Sequence, residues 1–133
     1  MKTYDYQYTI KLDDMDFQGH VGNANWLILL ERARVELIKD LGYPYDELAR
    51  DELGSVVARA NLRYLLPAFY DDVITISIQI TEIGDNHLML KHKCRNQNRK
   101  ICLTAELKIV FINKAGRPIN VPKTIRSHLD EGN

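Results

Sequence analysis

This 133-residue chain is short of several features, and each shortage removes a class of protein. It has two cysteines, Cys94 and Cys102, too few for a disulfide scaffold and too far apart for a CxxC redox or zinc motif. In a reducing compartment they are expected to be buried thiols, cross-strand neighbours about a hairpin centred on Asn98. Its four histidines, His20, His87, His92 and His128, are scattered and share no ligand spacing, so no metal site is expected. Neither sign of charge is in excess: 18 basic side chains face 18 acidic ones. That balance argues against a nucleic-acid partner and against a charged disordered tail. No apolar run approaches the roughly 20 residues of a membrane-spanning helix. The start, MKTYDYQYTIKLDD, lacks the apolar stretch of a secretory signal, and the chain reads as cytoplasmic. With no linker, repeat or low-complexity segment, residues 1–133 are expected to form one domain.

What is present is periodic. Over residues 4–12, Tyr4, Tyr6, Tyr8, Ile10 and Leu12 alternate with polar residues, as on a half-buried strand. From about residue 23 to residue 41 the period becomes helical. Trp26, Leu27, Leu29, Leu30, Ala33, Leu37, Ile38 and Leu41 cover half the wheel, opposite Glu31, Arg32, Glu36 and Lys39. So wide an apolar face predicts a helix packed deeply on a sheet. Asn23 or Asn25 is expected to cap its start, and Gly42 with Pro44 to end it. Arg34, on the flank of that face, is read as a snorkelling side chain beside Glu31.

A short helix is expected over residues 44–51, then strands at 54–66, 72–83, 86–96 and 100–113. Ile74, Ile76, Ile78 and Ile80 alternate with Thr75, Ser77, Gln79 and Thr81. The connections Gly84-Asp85-Asn86 and Asn96-Gln97-Asn98-Arg99 are hairpin-like, so these strands are expected to be antiparallel. The last residues, 123–129, have room for one or two helical turns. The fold class is therefore α+β, with one long helix against an antiparallel sheet. One helix cannot cover both faces of such a sheet, and the uncovered face leaves room for another subunit.

Between the first strand and the helix runs Asp14-Met15-Asp16-Phe17-Gln18-Gly19-His20-Val21-Gly22-Asn23-Ala24-Asn25-Trp26. Two carboxylates, a glycine turn, a histidine and two asparagines here precede a helix start, where free backbone N–H groups favour negative charge. A carboxylate held near such donors can act on a bound carbonyl.

The same run is similar to the D-x-D-x-x-G-x-V-x-x-x-x-Y/W pattern of the hot-dog-fold thioesterases, in the 4-hydroxybenzoyl-CoA thioesterase-like branch. Leu30-Glu31-Arg32-Ala33-Arg34-Val35-Glu36 resembles that family's E-x-A-R helix signature. Tyr64-Leu65-Leu66-Pro67-Ala68-Phe69-Tyr70-Asp71-Asp72 resembles its Y-x-x-P-x-x-x-x-D segment. The three motifs occur in order over nearly the whole chain. The resemblance implies a long central helix wrapped by a five- or six-stranded antiparallel sheet. It implies homodimers, which in some members pair into tetramers, with sites at the subunit interface.

The resemblance also implies hydrolysis of a short acyl- or aryl-CoA thioester to free acid and CoA, with no cofactor. Asp16 falls on the catalytic carboxylate, as general base or as nucleophile. The backbone N–H at Asn23 falls on the donor that polarises the thioester carbonyl. Gly19 is expected to give the tight turn, and His20 and Asn25 to support the loop. Asp13 and Asp14 are read as loop-orienting or solvated acids. Glu31 is an alternative acid, as another branch uses a carboxylate on this helix; an ordinary salt bridge to Arg34 is the plainer reading. Arg63, Lys91 and Lys93 are candidates for the CoA phosphates, although a run such as Lys91-His92-Lys93 is ordinarily a solvated strand face. Two rivals remain open: an acyl-carrier-protein thioesterase, and a non-catalytic module binding an acyl ligand or a protein. The spacing of histidine and acid does not suit the dehydratases of this fold.

Overall fold

A computed structural model describes residues 2–131 of the chain. Strand β1 (Thr3–Thr9) leads through a 3-10 turn (Leu12–Asp14) to helix α1 (Asn23–Asp40) and short helix α2 (Tyr45–Arg50). Strands β2 (Gly54–Tyr64), β3 (Val73–Ile83), β4 (His87–Arg95) and β5 (Ile101–Ile112) follow, then helix α3 (Lys123–Glu131). The sheet is antiparallel throughout, in the order β1-β3-β4-β5-β2. β1 and β2 form opposite edges, and α1 lies between them in the chain. The connection from one edge to the other therefore carries α1 across the inner face of the sheet.

The alternation read from β3 is real: Ile74, Ile76, Ile78 and Ile80 are buried. Leu88, Leu90 and Cys94 of β4 and Leu103, Leu107, Ile109 and Phe111 of β5 join them. Against this layer α1 sets Trp26, Leu29, Leu30, Ala33, Leu37 and Ile38. At roughly 1.5–3 kcal/mol for each large apolar side chain buried, this layer is the main source of stability. Gly42 ends the helix at φ 93°: its N–H donates to Lys39 O (2.9 Å), and Tyr43 N–H donates to Ile38 O (3.1 Å). Those paired bonds satisfy carbonyls that a helix end leaves open.

Several expectations are corrected. β1 stops at Thr9, and Leu12 is 69% exposed in the 3-10 turn instead of facing inward. Asp14 causes the bend, since its Oδ2 accepts from Lys11 N–H at 2.8 Å. Leu27 is 43% exposed, so the apolar face of α1 is narrower than the wheel suggests. His92 does not lie on a solvated strand face: strand alternation turns it inward, fully buried, between exposed Lys91 and Lys93. The cysteines are free and buried, as expected. A register shift after Cys94 pairs it with Leu103, so Cys102 is not its direct cross-strand partner.

β2 behaves differently from the inner strands. It is long, it forms a sheet edge, and most of its residues are exposed on both faces. Among the described residues its backbone groups on the open side have no ladder partner, which is the condition that invites another strand.

Candidate active site

Residues 15–21 form a small hairpin at the mouth of α1, closed by a bridge between Met15 and Val21. Asp16 N–H donates to His20 O (2.8 Å), and Gly19 N–H donates to Asp16 O (3.1 Å). Gly19 has φ 87°, the left-handed conformation that a three-residue hairpin loop requires at this position. Phe17, at the tip, is 95% exposed. Val21 N–H donates to Ala68 O (2.8 Å), which fastens the hairpin to the segment after Pro67.

The Asp16 carboxylate has two unlike oxygens. Oδ1 accepts from Gln18 N–H (2.9 Å), an interaction that any aspartate opening a turn can make. Oδ2 lies beside Gly22, the residue before α1: a Cβ built there would stand 3.8 Å from it and 3.3 Å from Asp16 Cβ. Gly22 is the N-cap of α1 and supplies no side-chain cap. Trp26 N–H is the first to reach back along the helix, to Gly22 O at 3.1 Å. The N–H groups of Asn23, Ala24 and Asn25 are thus left without intrahelical acceptors. The side chain of Asp16 is about a quarter exposed, open enough for a ligand to reach.

The expected cap is corrected as well: neither Asn23 nor Asn25 caps α1. Asn25 instead donates its Nδ2–H to Asp14 O (2.8 Å), a carbonyl that also receives Gly22 N–H at 3.4 Å. These two bonds clamp the loop onto the first turn of α1. His20 is held by its own loop, Nδ1 near Val21 O (3.1 Å) and Nε2 near Gln18 Oε1 (3.2 Å). Its Nδ1 lies 3.9 Å from Asp16 Oδ2, close enough for charge but too long for a hydrogen bond.

Beside the hairpin is a cleft of about 300 Å³, walled by His20, Val21, Asn23, Trp26, Tyr64 and Leu66. Tyr64, at the end of β2, donates its hydroxyl to Asn23 O (3.2 Å) and so joins the sheet edge to the helix start. Gly22 and Tyr64 join the site although neither is among the sequence candidates. Tyr64 opens the third motif, which is the signal that could have found it. Nothing in the sequence marks Gly22, because its importance lies in what packs against it.

The other candidates lie elsewhere. Glu31 is exposed and lies 3.9 Å from Arg34, the plain i,i+3 pair. It stands eight residues beyond Asn23, about 12 Å along the helix. Burial lowers the Arg34 pKa, and Glu31 opposes that shift. Arg63 and Lys93 flank Thr104 on the outer face of the sheet, and Lys91 sits opposite Glu106 on that face. The structure groups these three with one another, on the face away from α1. A larger cleft, of about 630 Å³, runs between β1 and α1 beside Tyr6, Tyr8 and Arg32. Its carboxylates, Asp5, Glu31 and Glu36, are exposed and none meets a helix terminus.

Comparison with known proteins gives the family. The thioesterase-like superfamily matches residues 10–129. The Escherichia coli acyl-CoA thioester hydrolase YbgC is 25% identical over 128 residues, covering 94% of this chain and 96% of its own. The Haemophilus influenzae acyl-CoA thioesterase YbgC is 25% identical over 126 residues, covering 93% and 92%. A crystal structure of a probable thioesterase from Bartonella henselae superposes with a TM-score of 0.86 at 27% identity, over 91% of this chain and all of that one. With a long helix crossing a five-stranded antiparallel sheet and these relatives over nearly its full length, the chain belongs to the thioesterase-like superfamily and is a hot-dog-fold thioesterase.

Proposed function

We propose that this protein hydrolyses short acyl- or aryl-CoA thioesters, with Asp16 as the acting carboxylate. The observation that carries the reading is that Asp16 packs against Gly22, the N-cap that gives α1 no side-chain cap. A thioester carbonyl in the 300 Å³ cleft would direct its oxygen at the N–H groups of the first turn, Asn23 foremost. Those donors and the helix dipole favour the negative charge that grows on that oxygen as it is attacked. Asp16 either takes a proton from the attacking water, or attacks the carbonyl itself to expel the thiolate and form a mixed anhydride that water then hydrolyses, releasing the acid and restoring the carboxylate; in both cases Oδ2, the oxygen not bonded by Gln18 N–H, is the reacting atom. The thiolate leaves without strong acid assistance, which suits a site with one catalytic side chain. No resident cofactor enters this scheme.

The cleft is small and bordered by Trp26 and Tyr64, which supports short or aromatic acyl groups. We also propose that the working form is a homodimer. β2 offers an open, doubly exposed edge, and Leu27 and Ile28 leave an apolar strip of α1 uncovered. A second copy would cover both.

The test is a panel of acyl- and aryl-CoA thioesters read by released thiol, with Asp16→Asn beside the wild type. Loss of about 100-fold or more in kcat is expected for the variant, with its fold intact. Turnover near the wild-type rate would remove Asp16 from the mechanism. Running matched acyl-carrier-protein substrates in the panel separates the two thioester classes.

A further inference from the structure

The outer face of the sheet holds a cleft of its own. Two β-bulges fall on one transverse row. One lies between Val57 and Arg59 of β2, the other between Ile80 and Glu82 of β3. The row they share is Arg59, Lys108, Met89 and Glu82 across four neighbouring strands. Bulges bend a strand and re-aim its side chains, and they concentrate beside binding sites. Here they open a cleft of about 480 Å³ in a sheet face that carries small polar groups and charges. That volume is within the usual range for a small-molecule site.

The charges in this cleft are unusual. Arg59 and Lys108 are direct cross-strand partners, and among the described strand partners they are the one pair of like charge. Like charges placed opposite each other destabilise a sheet. Elsewhere the same face avoids this: Lys91 faces Glu106 and Gln79, and Lys93 faces Ser77 and Thr104. Among the described residues neither Arg59 nor Lys108 forms an ion pair. The pair is thus a ready-made receptor for an oxyanion. The cleft is not uniformly basic, however, because Glu82 and Glu106 also line it. Glu82 Oε2 is engaged by His87 Nε2 at 2.8 Å, and among the described residues Glu106 has no ion pair. A bare polyanion would be repelled by these acids. A ligand with phosphate at one end and hydroxyl or amino donors at the other fits both sets. The Met89 thioether between them offers a soft surface for a flat ring.

We propose that this cleft binds an adenine nucleotide, its phosphate on Arg59 and Lys108 and its neutral donors toward Glu106 and Glu82. Two sources supply that chemistry: the nucleotide end of a CoA thioester, and a free nucleotide. The first source rests on the function proposed above; the binding site does not.

The probe is adenosine 3′,5′-bisphosphate, titrated calorimetrically into the wild type and into a variant carrying R59Q and K108Q. Saturable binding is expected, weakened roughly tenfold or more in the variant. Removing the like-charge pair should leave the melting temperature of the variant unchanged or raised, which guards against misfolding as the cause. KM is then compared for one acyl group carried on CoA and on pantetheine without the nucleotide. A rise for the CoA substrate alone assigns the cleft to the substrate. Unchanged KM for both, with the probe binding lost, assigns it to a free nucleotide. No binding to the wild type, equal binding to the variant, or inorganic phosphate binding as tightly as the probe would each overturn the proposal. Absence of all thioester turnover would sink the function proposed above, while leaving the calorimetric result to be judged by itself.

Discussion

His92 sets up the sharpest test of the core. It sits fully buried under α1, on a strand whose neighbouring side chains face solvent, and among the described residues neither ring nitrogen has a partner at full hydrogen-bond geometry. Burial lowers its pKa to about 4, and the Arg34 charge pushes the same way; the Ala105 backbone opposes them with the smallest influence of the three. The histidine is therefore neutral in the folded chain at neutral pH. In the unfolded chain it titrates near its ordinary value of 6.5. Between those values the unfolded state binds a proton that the folded state does not. Stability from this group is unaffected above pH 6.5 and falls as the pH drops toward 4. The full loss, from the gap between the two values, is roughly 3 kcal/mol. Replacing His92 with leucine removes both the titration and two orphaned buried nitrogens. The variant should be as stable as the wild type or more so at pH 7. Its advantage should widen by up to about 1.4 kcal/mol per pH unit on the way down. Urea denaturation at fixed protein concentration, stepped from pH 7.5 to 4.5, reads this directly. Parallel stability curves for the two proteins across that window would show that His92 is not a buried neutral base.

Other expectations follow from single contacts. Asn25→Ala deletes the bond to Asp14 O and should cost about 1 kcal/mol in a thermal melt. Its kcat should fall further than its KM changes if the clamp holds Asp16 in place, and unchanged kcat would deny Asn25 that role. Gly42→Ala forces a side chain into φ 93° and brings a Cβ to 3.1 Å from Thr124 Cγ2, so a loss of about 1–2 kcal/mol or more is expected on denaturation. Cys94, its thiol pushed up to about 12 by burial with the adjacent Cys102 adding to it, should resist alkylation at pH 8 until urea opens the core. Modification at the rate of a free thiol in the native protein would contradict that burial. Chelators should leave thioester hydrolysis unchanged, and activity lost on chelation and restored by a metal ion would refute a scheme built on Asp16 and backbone donors alone.

Much of the framework is legible in the amino-acid sequence. Alternation at Ile74, Ile76, Ile78 and Ile80 defines a half-buried strand because successive strand residues point to opposite faces. The helical period from Trp26 to Ile38 defines one packed face for the same geometric reason. Gly42 ends α1 because only glycine takes its conformation without strain. The motif glycine, Gly19, turns the loop by the same rule. These are local properties, set by the backbone of a few neighbouring residues.

What escaped the sequence depends on contacts between distant residues. That β1 pairs with β3 and β2 crosses to the far edge is a matter of long-range pairing, invisible to periodicity. Leu27 lies at the margin of the apolar face, and only the width of the sheet beneath decides that it is left half-exposed. Asn25 has the chemistry of a cap, yet the carbonyl of Asp14, eleven residues away, comes within its reach and takes its side chain. Gly22 then gives α1 no side-chain cap, and its missing Cβ leaves room for Asp16 to pack against the helix start. Arg59 and Lys108 look like ordinary surface cations until the register puts them side by side. Periodicity and turn chemistry are encoded within a few residues; the meeting of an acid with a helix end, or of two cations across a ladder, exists only once the sheet has closed over α1.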